Sequence, residues 1–289
     1  MRSSVISSRR SRFRSNPFRR ETLAYGFLTF YALISAYPIV WMLFYSFKNN
    51  NEIFVTNPFG IPKVFRIENY VKALTEFNIL VYFRNSLIVS LSVVAATLVI
   101  ALLFSYATAR MEWKLSGFAR IFMTAGLFIP VQIILIPLLI LVKDFHLTNT
   151  YWSLIIPYTA FQIPFASMIF YGFLRSVPFE MEEAAAIDGA GIFQTFFRVI
   201  VPIVTPAVAT VAIFVFLAAW NEFTISLILI SDESLKTLPL GLMSFQGAFN
   251  TDWGAMGAAL VISSIPTIVF YLIFSEQVER AMGVGGAVK

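Results

Sequence analysis

The one compact polar segment between two long apolar runs of this chain carries a set of residues suited to chemistry. It combines four carboxylates with three alanines and a glycine: Glu180, Glu182, Glu183, Asp188, Ala184, Ala185, Ala186 and Gly189. Alanine favours a helix, carboxylates stabilise its amino-terminal end, and glycine can take the left-handed conformation that ends it. The pattern predicts a short helix with an acidic end and a face of small side chains. A second short helix is expected over Ile192–Ile200, and Pro202 either ends it or begins the following span.

A few other polar residues interrupt the apolar runs singly. Glu222 follows Asn221 in one run, and Gln132 and Gln162 lie in two others. A charge near the bilayer centre costs roughly 2.5–3.5 kcal/mol, so we expect Glu222 to face protein or water. It could line a polar path, pair with a partner subunit or sit protonated near the outer interface. For the two glutamines, hydrogen bonding between helices is the simpler alternative to a place on the path.

The sequence lacks the groups that most catalytic and metal sites need. It has no cysteine, and its single histidine, His146, makes a poor metal site. No Gly-x-x-x-x-Gly-Lys-Ser/Thr loop occurs, so we do not expect this chain to bind and split ATP itself. We predict no catalytic residue, no metal and no cofactor in this chain, and no nucleic-acid partner.

The composition is that of an integral membrane protein. Hydrophobic residues make up 58% of the 289 residues and charged residues 13%, with a mean hydropathy of +0.77. A bilayer core takes about 20 apolar residues of helix, and backbone groups in lipid must be paired internally. We predict an all-α membrane protein with six spans, over Leu23–Phe47, Phe83–Ala109, Ile121–Val142, Trp152–Leu174, Pro206–Ile230 and Gly254–Phe274. Bends are expected at Pro130, Pro137, Pro157 and Pro164.

Positive charge predicts the orientation of these spans. Seven arginines precede the first span, with Glu21 as the one opposing carboxylate. Cytoplasmic segments carry an excess of Lys and Arg, and six spans place both termini on one side. We therefore expect both termini in the cytoplasm. The basic start could also touch anionic headgroups, so membrane lipid is an expected partner.

Two interpretations of the acidic segment are open. It could be a passive amphipathic linker on the membrane surface, or a docking element for another protein. Carboxylates are poorly suited to an anionic membrane surface, whereas small residues permit close approach of a basic or mixed-charge partner. We favour docking.

The spacing of this segment resembles the EAA motif of ABC-importer permeases, Glu-Ala-Ala, x3, Gly, x9, Ile-x-Leu-Pro. The matching positions are Glu183, Ala184, Ala185, Gly189, Val199, Val201 and Pro202. Val199 and Val201 replace the usual Ile and Leu. The resemblance implies a type-I ABC importer permease fold, whose cytoplasmic coupling helices dock in a cleft of the ATP-binding subunit.

The same resemblance implies partners and site residues. The partners are a second homologous permease subunit, two ATP-binding subunits that hold ATP and Mg, and an extracellular or periplasmic solute-binding protein. The membrane implied by the resemblance is the cell (inner) membrane of a bacterium or an archaeon. The implied coupling residues are Glu180, Glu182, Glu183, Ala184, Ala185, Asp188, Gly189, Val199, Val201 and Pro202.

Further segments are similar to carbohydrate-importer permeases of the maltose-transporter type, in particular the smaller, six-span permease. They are Glu68-Asn69-Tyr70, Asn85-Ser86-Leu87, Trp220-Asn221-Glu222-Phe223, Asp252-Trp253-Gly254 and the tail Gly285-Gly286-Ala287-Val288-Lys289. This similarity implies a sugar as cargo. It also implies a tail that extends to the ATPase through Gly285, Gly286 and Lys289, and an outer loop, with Gly241, Gln246, Gly247 and Asn250, that faces the binding protein. We assign Asn221, Glu222, Gln132 and Gln162 to the substrate path.

These observations divide the chain into four segments. They are a basic cytoplasmic tail at 1–20, a first transmembrane helix and outer loop at 21–81, a permease domain at 82–275 and a cytoplasmic tail at 276–289. The expected function is that of a permease subunit in an ATP-driven sugar importer. An importer for a non-sugar solute remains an alternative, as does an ion-coupled secondary transporter that would use Glu222 as its ion site.

Overall fold

The computed structural model describes residues 17–246 and 251–286. The helices are α1 (Pro17–Tyr45), α2 (Glu68–Thr75), α3 (Ile79–Arg110), α4 (Ser116–Ala125), α5 (Val131–Asp144), α6 (Trp152–Ser176), α7 (Glu180–Ile187), α8 (Ile192–Thr195), α9 (Val201–Ile203), α10 (Thr205–Trp220), α11 (Thr224–Leu229), α12 (Leu238–Gly241) and α13 (Trp253–Gly286). Short π-helical or 3₁₀-helical turns lie at Glu52–Thr56, Gly126–Phe128, Phe196–Ile200, Glu233–Leu235 and Leu242–Phe245. Within the described ranges there is no strand beyond one isolated bridge between Gln246 and Thr251, so the all-α prediction is confirmed.

Four described helices are long and apolar enough to cross a membrane by themselves. They are Ala24–Tyr45, Ile79–Arg110, Trp152–Ser176 and Trp253–Ser275. Two further spans are possible as bent pairs, Ser116–Phe128 with Val131–Asp144 and Ile192–Ile203 with Thr205–Trp220. The described chain therefore supplies up to six spans, in agreement with the predicted number.

The third span is not the continuous helix predicted over Ile121–Val142. Its two halves meet at 102°. Pro130 has no N–H to donate, and it pushes the residue before it out of the helical region. Ile129 accordingly has the extended torsions φ −87° and ψ 109°. By contrast, helical structure continues through Pro137 in α5 and through both prolines of α6.

The fifth span also differs from its prediction. Its helix α10 ends at Trp220, and the chain is non-helical at 221–223 before α11 begins. Glu222 therefore lies in a break between two helices and not inside a continuous helix over Pro206–Ile230. The start of the span bends as well, by 73° between α9 and α10.

The core lies where α3, α6 and α10 meet, with α13 against α10. Small and hydroxyl side chains allow α3 and α6 to approach closely, as is usual between membrane helices. Ala101 and Ala166 are fully buried there, and the Ser105 hydroxyl donates to the Ser167 carbonyl at 3.0 Å. The exposed apolar side chains of α1 leave that helix free for contact with lipid or a partner.

Two asparagine side chains bind the backbone of the loops at the end of the bundle where α3 begins. Asn69 Nδ2 donates to the carbonyls of Ser46 and Lys48, at 2.8 and 2.9 Å. Asn85 Nδ2 donates to the carbonyls of Ser234 and Lys236 at the same two distances. Two of the short segments that resemble sugar-importer permeases thus have a structural role, which is to hold these loops against the helices.

Candidate functional site

The acidic segment forms the short helix α7, at the end of the bundle where α3 and α6 finish. It ends as predicted at Gly189, whose φ is +80°. The Ala190 N–H donates to the Ala185 carbonyl at 2.9 Å, and the Gly189 N–H donates to the Ala186 carbonyl at 3.0 Å. This pair of bonds is a Schellman motif, which requires the left-handed residue. The glycine therefore turns the chain sharply from α7 toward α8.

The carboxylates of α7 do not all face outward. Glu182 turns inward, and its Oε1 lies 2.9 Å from Arg110 Nε, with only 11% and 6% of the two side chains exposed. The Tyr106 hydroxyl donates to Glu182 Oε2 at 3.1 Å, and Arg110 Nη2 donates to the Val177 carbonyl at 2.7 Å. Glu182 therefore anchors α7 to the end of α3 and does not form part of an outward-facing acidic surface.

The other three carboxylates of this segment are exposed: Glu180, Glu183 and Asp188. Arg110 and Tyr106 had not been assigned to the site from the sequence. The sequence signal for Arg110 is its position as a basic residue at the end of an apolar run, on the membrane side predicted to hold the acidic segment.

An exposed apolar surface accompanies these carboxylates. It comprises Phe179, Met181, Ile187, Ile192, Phe193 and Phe197, and we call it the α7–α8 surface. Ile187 is 86% exposed and Phe193 75%. Clustered exposed apolar side chains mark contact sites in proteins. Ala184 is exposed beside them, and Ala185 is half-buried.

The turn that follows α8 connects this surface to the core. Phe196 and Ile200 are buried, and the ring centroids of Phe196 and Tyr106 lie 4.9 Å apart. Val199 and Val201 are half-buried. Pro202 is exposed in α9, which leads directly into α10. The α7–α8 surface is thus attached to α3 through Glu182 and to the core through the buried Phe196 and Ile200, so a force applied to it would reach the spanning helices.

Glu222 contributes to a second feature, a cavity of about 290 Å³ between the break after α10 and the middle of α6. Its Oε2 accepts a hydrogen bond from the Tyr158 hydroxyl at 2.5 Å, and its Oε1 accepts one from the Ile225 N–H at 2.9 Å. The carboxylate therefore caps α11 while facing the cavity. Gln162 lines the same cavity, so the structure brings these two predicted path residues together.

The other two predicted path residues lie elsewhere. Asn221 Nδ2 donates to the Leu217 carbonyl of the preceding helix α10 at 2.8 Å, and Asn221 lines a separate cavity beside α1 and α13. Gln132 is exposed on α5, outside the residues that line the Glu222 cavity. Adjacent positions in the sequence, 221 and 222, thus face different cavities.

The outer loop and the tail also differ from expectation. Gly241 is buried in α12 against the Tyr82 ring and is not available at the surface. Gln246 is exposed, whereas Gly247 and Asn250 lie outside the described residues. The helix α13 continues through Gly285 and Gly286, and Lys289 lies outside the described residues, so the contact of these three residues with an ATPase stays a prediction. Among the residues searched, no group of three His, Cys, Asp or Glu side chains could hold a metal ion.

Comparison with known proteins identifies relatives over nearly the whole chain. The diacetylchitobiose uptake system permease protein NgcG of Streptomyces coelicolor is 35% identical over 273 residues, covering 94% of this chain and 90% of that protein. The trehalose/maltose transport system permease protein MalG of Thermococcus litoralis is 33% identical over 258 residues, covering 88% and 92%.

The fold is shared with a solved transporter, and a family model matches the greater part of the chain. The crystal structure of a bacterial ABC transporter that imports the acidic polysaccharide alginate contains a chain with a TM-score of 0.78 at 20% identity, covering 91% of this chain and 98% of that one. This match confirms the expected importer-permease fold. The model "Binding-protein-dependent transport system inner membrane component" matches residues 101–284. The chain therefore belongs to the family of inner membrane components of binding-protein-dependent transport systems.

Proposed function

We propose that this chain is a permease subunit of an ATP-driven, binding-protein-dependent sugar importer and forms half of the translocation pathway. Membership of the family supports the transport role. The sugar cargo is supported by relatives named for uptake of diacetylchitobiose and of trehalose and maltose. The cargo class extends over mono-, di- and oligosaccharides.

The α7–α8 surface is the proposed docking site for an ATP-binding subunit. The observation that carries this assignment is an exposed apolar surface beside three exposed carboxylates, joined to the core by the Arg110–Glu182 ion pair and by the buried Phe196. Two such subunits would bind ATP and Mg, and this chain would convert their closure into motion of α3 and α10. The resemblance of 183–202 to the EAA motif supports the same assignment.

We assign the α7 end of the bundle to the cytoplasm, together with both termini. The loops at this end carry Arg110, Lys114, Arg120, Arg175 and Arg198, and those at the opposite end carry Lys48, Lys63, Arg66, Lys72, Lys143 and Lys236. The seven arginines that precede the first span supply the excess of positive charge on the cytoplasmic side that the positive-inside rule describes. The opposite end, with the loop around Gln246, would meet the solute-binding protein. A second homologous permease would complete the path that begins at the cavity holding Glu222 and Gln162.

Reconstitution with the ATP-binding subunits and the binding protein tests the docking assignment. Phe193→Ser should weaken association with the ATP-binding subunits by about ten- to hundredfold, because docking would bury this exposed ring. Phe59→Ser is the matched control, since Phe59 is 77% exposed at the opposite end. Equal association of the two variants would contradict docking at this surface.

The cargo and the energy source need separate measurements. The cognate binding protein should bind a saccharide in a screen of mono-, di- and oligosaccharides, and tight binding of another solute class would overturn the sugar assignment. Uptake should require the ATP-binding subunits. Uptake without them, abolished by dissipating an ion gradient, would instead favour a secondary transporter.

A further inference from the structure

A basic cavity of about 1020 Å³ lies at the α7 end, between the ends of α3 and α6 and the start of α4. Four cationic residues line it, Arg110, Lys114, Arg120 and Arg175, whereas Glu112 is the one carboxylate among its described lining residues. Such an excess of positive charge attracts anions.

Most of this charge is not neutralised within the described chain. Arg110 is paired with Glu182. Arg120 donates to the Tyr171 hydroxyl and lies over its ring at 4.8 Å, and neither contact removes its charge. Lys114 and Arg175 are exposed and form no ion pair with any described residue. Three cations are therefore available to a ligand.

A narrow cleft between α3, α4 and α6 adjoins the basic cavity. The cleft has a volume of about 60 Å³ and shares Thr108, Arg120 and Tyr171 with the basic cavity. Its remaining lining includes the apolar side chains of Phe104, Met123 and Met168. A positive cavity thus lies next to a mainly apolar cleft beside the spanning helices.

The surroundings of the cavity are those of a membrane interface. Phe118, Ile121 and Phe122 are exposed on the adjoining helix α4, which belongs to one of the two bent candidate spans. Trp113 lines the cavity, with its indole N–H donating to the Ala107 carbonyl at 2.9 Å. Tryptophan and tyrosine are enriched at the level of lipid headgroups.

We propose that this cavity binds the phosphate of an anionic phospholipid, with part of an acyl chain along the cleft. Guanidinium and ammonium groups form charge-assisted hydrogen bonds with phosphate oxygens, and basic pockets between membrane helices are suited to anionic headgroups. A free phosphate would use the cations but not the apolar cleft. Arg110 links the cavity to Glu182, so the bound lipid lies beside the anchor of α7.

Native mass spectrometry of the full chain in neutral detergent tests the site. The natural chain should retain added phosphatidylglycerol in preference to phosphatidylcholine. The double variant Lys114→Gln/Arg175→Gln should bind phosphatidylglycerol about thirtyfold more weakly, at about 1 kcal/mol for each charge removed. Both side chains are exposed, so the substitutions should not disturb folding.

The matched control removes two exposed charges from the opposite end of the bundle. Lys63→Gln/Lys143→Gln should leave retention of phosphatidylglycerol unchanged. Equal retention by the two double variants would overturn the proposal. Displacement of the lipid by millimolar inorganic phosphate would identify a soluble anion as the ligand and overturn the lipid assignment. Loss of the lipid on assembly with partner subunits would identify the cavity as a protein interface, with the same consequence.

Discussion

Replacing Glu182 by Ala should release α7 from the end of α3. The substitution leaves the guanidinium of Arg110 almost fully buried without its carboxylate, and it removes the acceptor of the Tyr106 hydroxyl. Breaking a buried ion pair by removing one partner costs about 3–5 kcal/mol. A helix of eight residues is too short to persist alone in water, and apart from Glu182 no side chain of α7 anchors it in the core. The cost should therefore appear as local opening of α7 and not as global unfolding.

Hydrogen exchange of the full chain in lipid nanodiscs measures this opening. The amides of Asp188, Gly189 and Ala190 donate within the turn that ends α7, so their protection reports on the helix. A loss of 3–5 kcal/mol corresponds to about 100- to 5000-fold faster exchange, up to the rate of an unprotected amide. Binding-protein-stimulated ATP hydrolysis should fall in the same variant, because a detached α7 no longer moves α3.

Glu183→Ala is the matched control for this experiment. It removes the same charge from the same helix, but Glu183 is exposed and forms no ion pair with any described residue. Its exchange should change less than about threefold, as expected for a surface substitution. Equal exchange rates in the two variants would refute the anchoring role. An exchange rate in Glu182→Ala no faster than in the natural chain would refute it as well.

Three further outcomes are expected, each checked by the local protection of the segment concerned. Gly189→Ala should destabilise the turn after α7 by about 1–2 kcal/mol, because a residue with a side chain disfavours its φ of +80°, although the added methyl group meets open space. Gly191→Ala should cost less, because Gly191 has a φ of −74° and equal space around it. Glu222→Ala should raise amide exchange in α11 about five- to thirtyfold, because a lost cap costs about 1–2 kcal/mol. Hydrogen bonds from Lys236 and from the Tyr82 hydroxyl lower the pKa of Glu233 below its ordinary 4.5. These bonds therefore stabilise the folded loop above pH 4.5, and this stabilisation is lost as the pH falls through the lowered pKa. Limited proteolysis of residues 233–245 should accordingly increase on acidification, and Glu233→Gln should abolish that pH dependence. Equal effects of the two glycine changes would contradict the explanation from φ. Unchanged exchange in Glu222→Ala would contradict the capping role, and an acid response that survives in Glu233→Gln would contradict the role of Glu233.

Features that depend on neighbouring residues are predictable from the sequence, whereas those that depend on packing are predictable only in part. The helix α7 and its end at Gly189 follow from the sequence, because helix propensity and left-handed glycine act within a few residues. The prolines of the third and fourth spans are alike in sequence terms, yet only Pro130 coincides with a break. A proline leaves a helix carbonyl group without its usual hydrogen bond. Whether the membrane helix is interrupted depends on whether neighbouring helices, side chains or water supply another donor.

The amino-acid sequence by itself determined that this chain is a helical membrane protein, because the length and apolarity of its segments decide how they partition into lipid. The tertiary structure alone decided which polar side chains act together. Tyr106 and Glu182 are 76 positions apart and Tyr158 and Glu222 are 64 apart, yet each pair is joined by a hydrogen bond. Neighbouring carboxylates of α7 likewise divide between an anchor, Glu182, and an exposed surface. Such partnerships arise from the packing of helices distant in the chain, which local spacing does not encode.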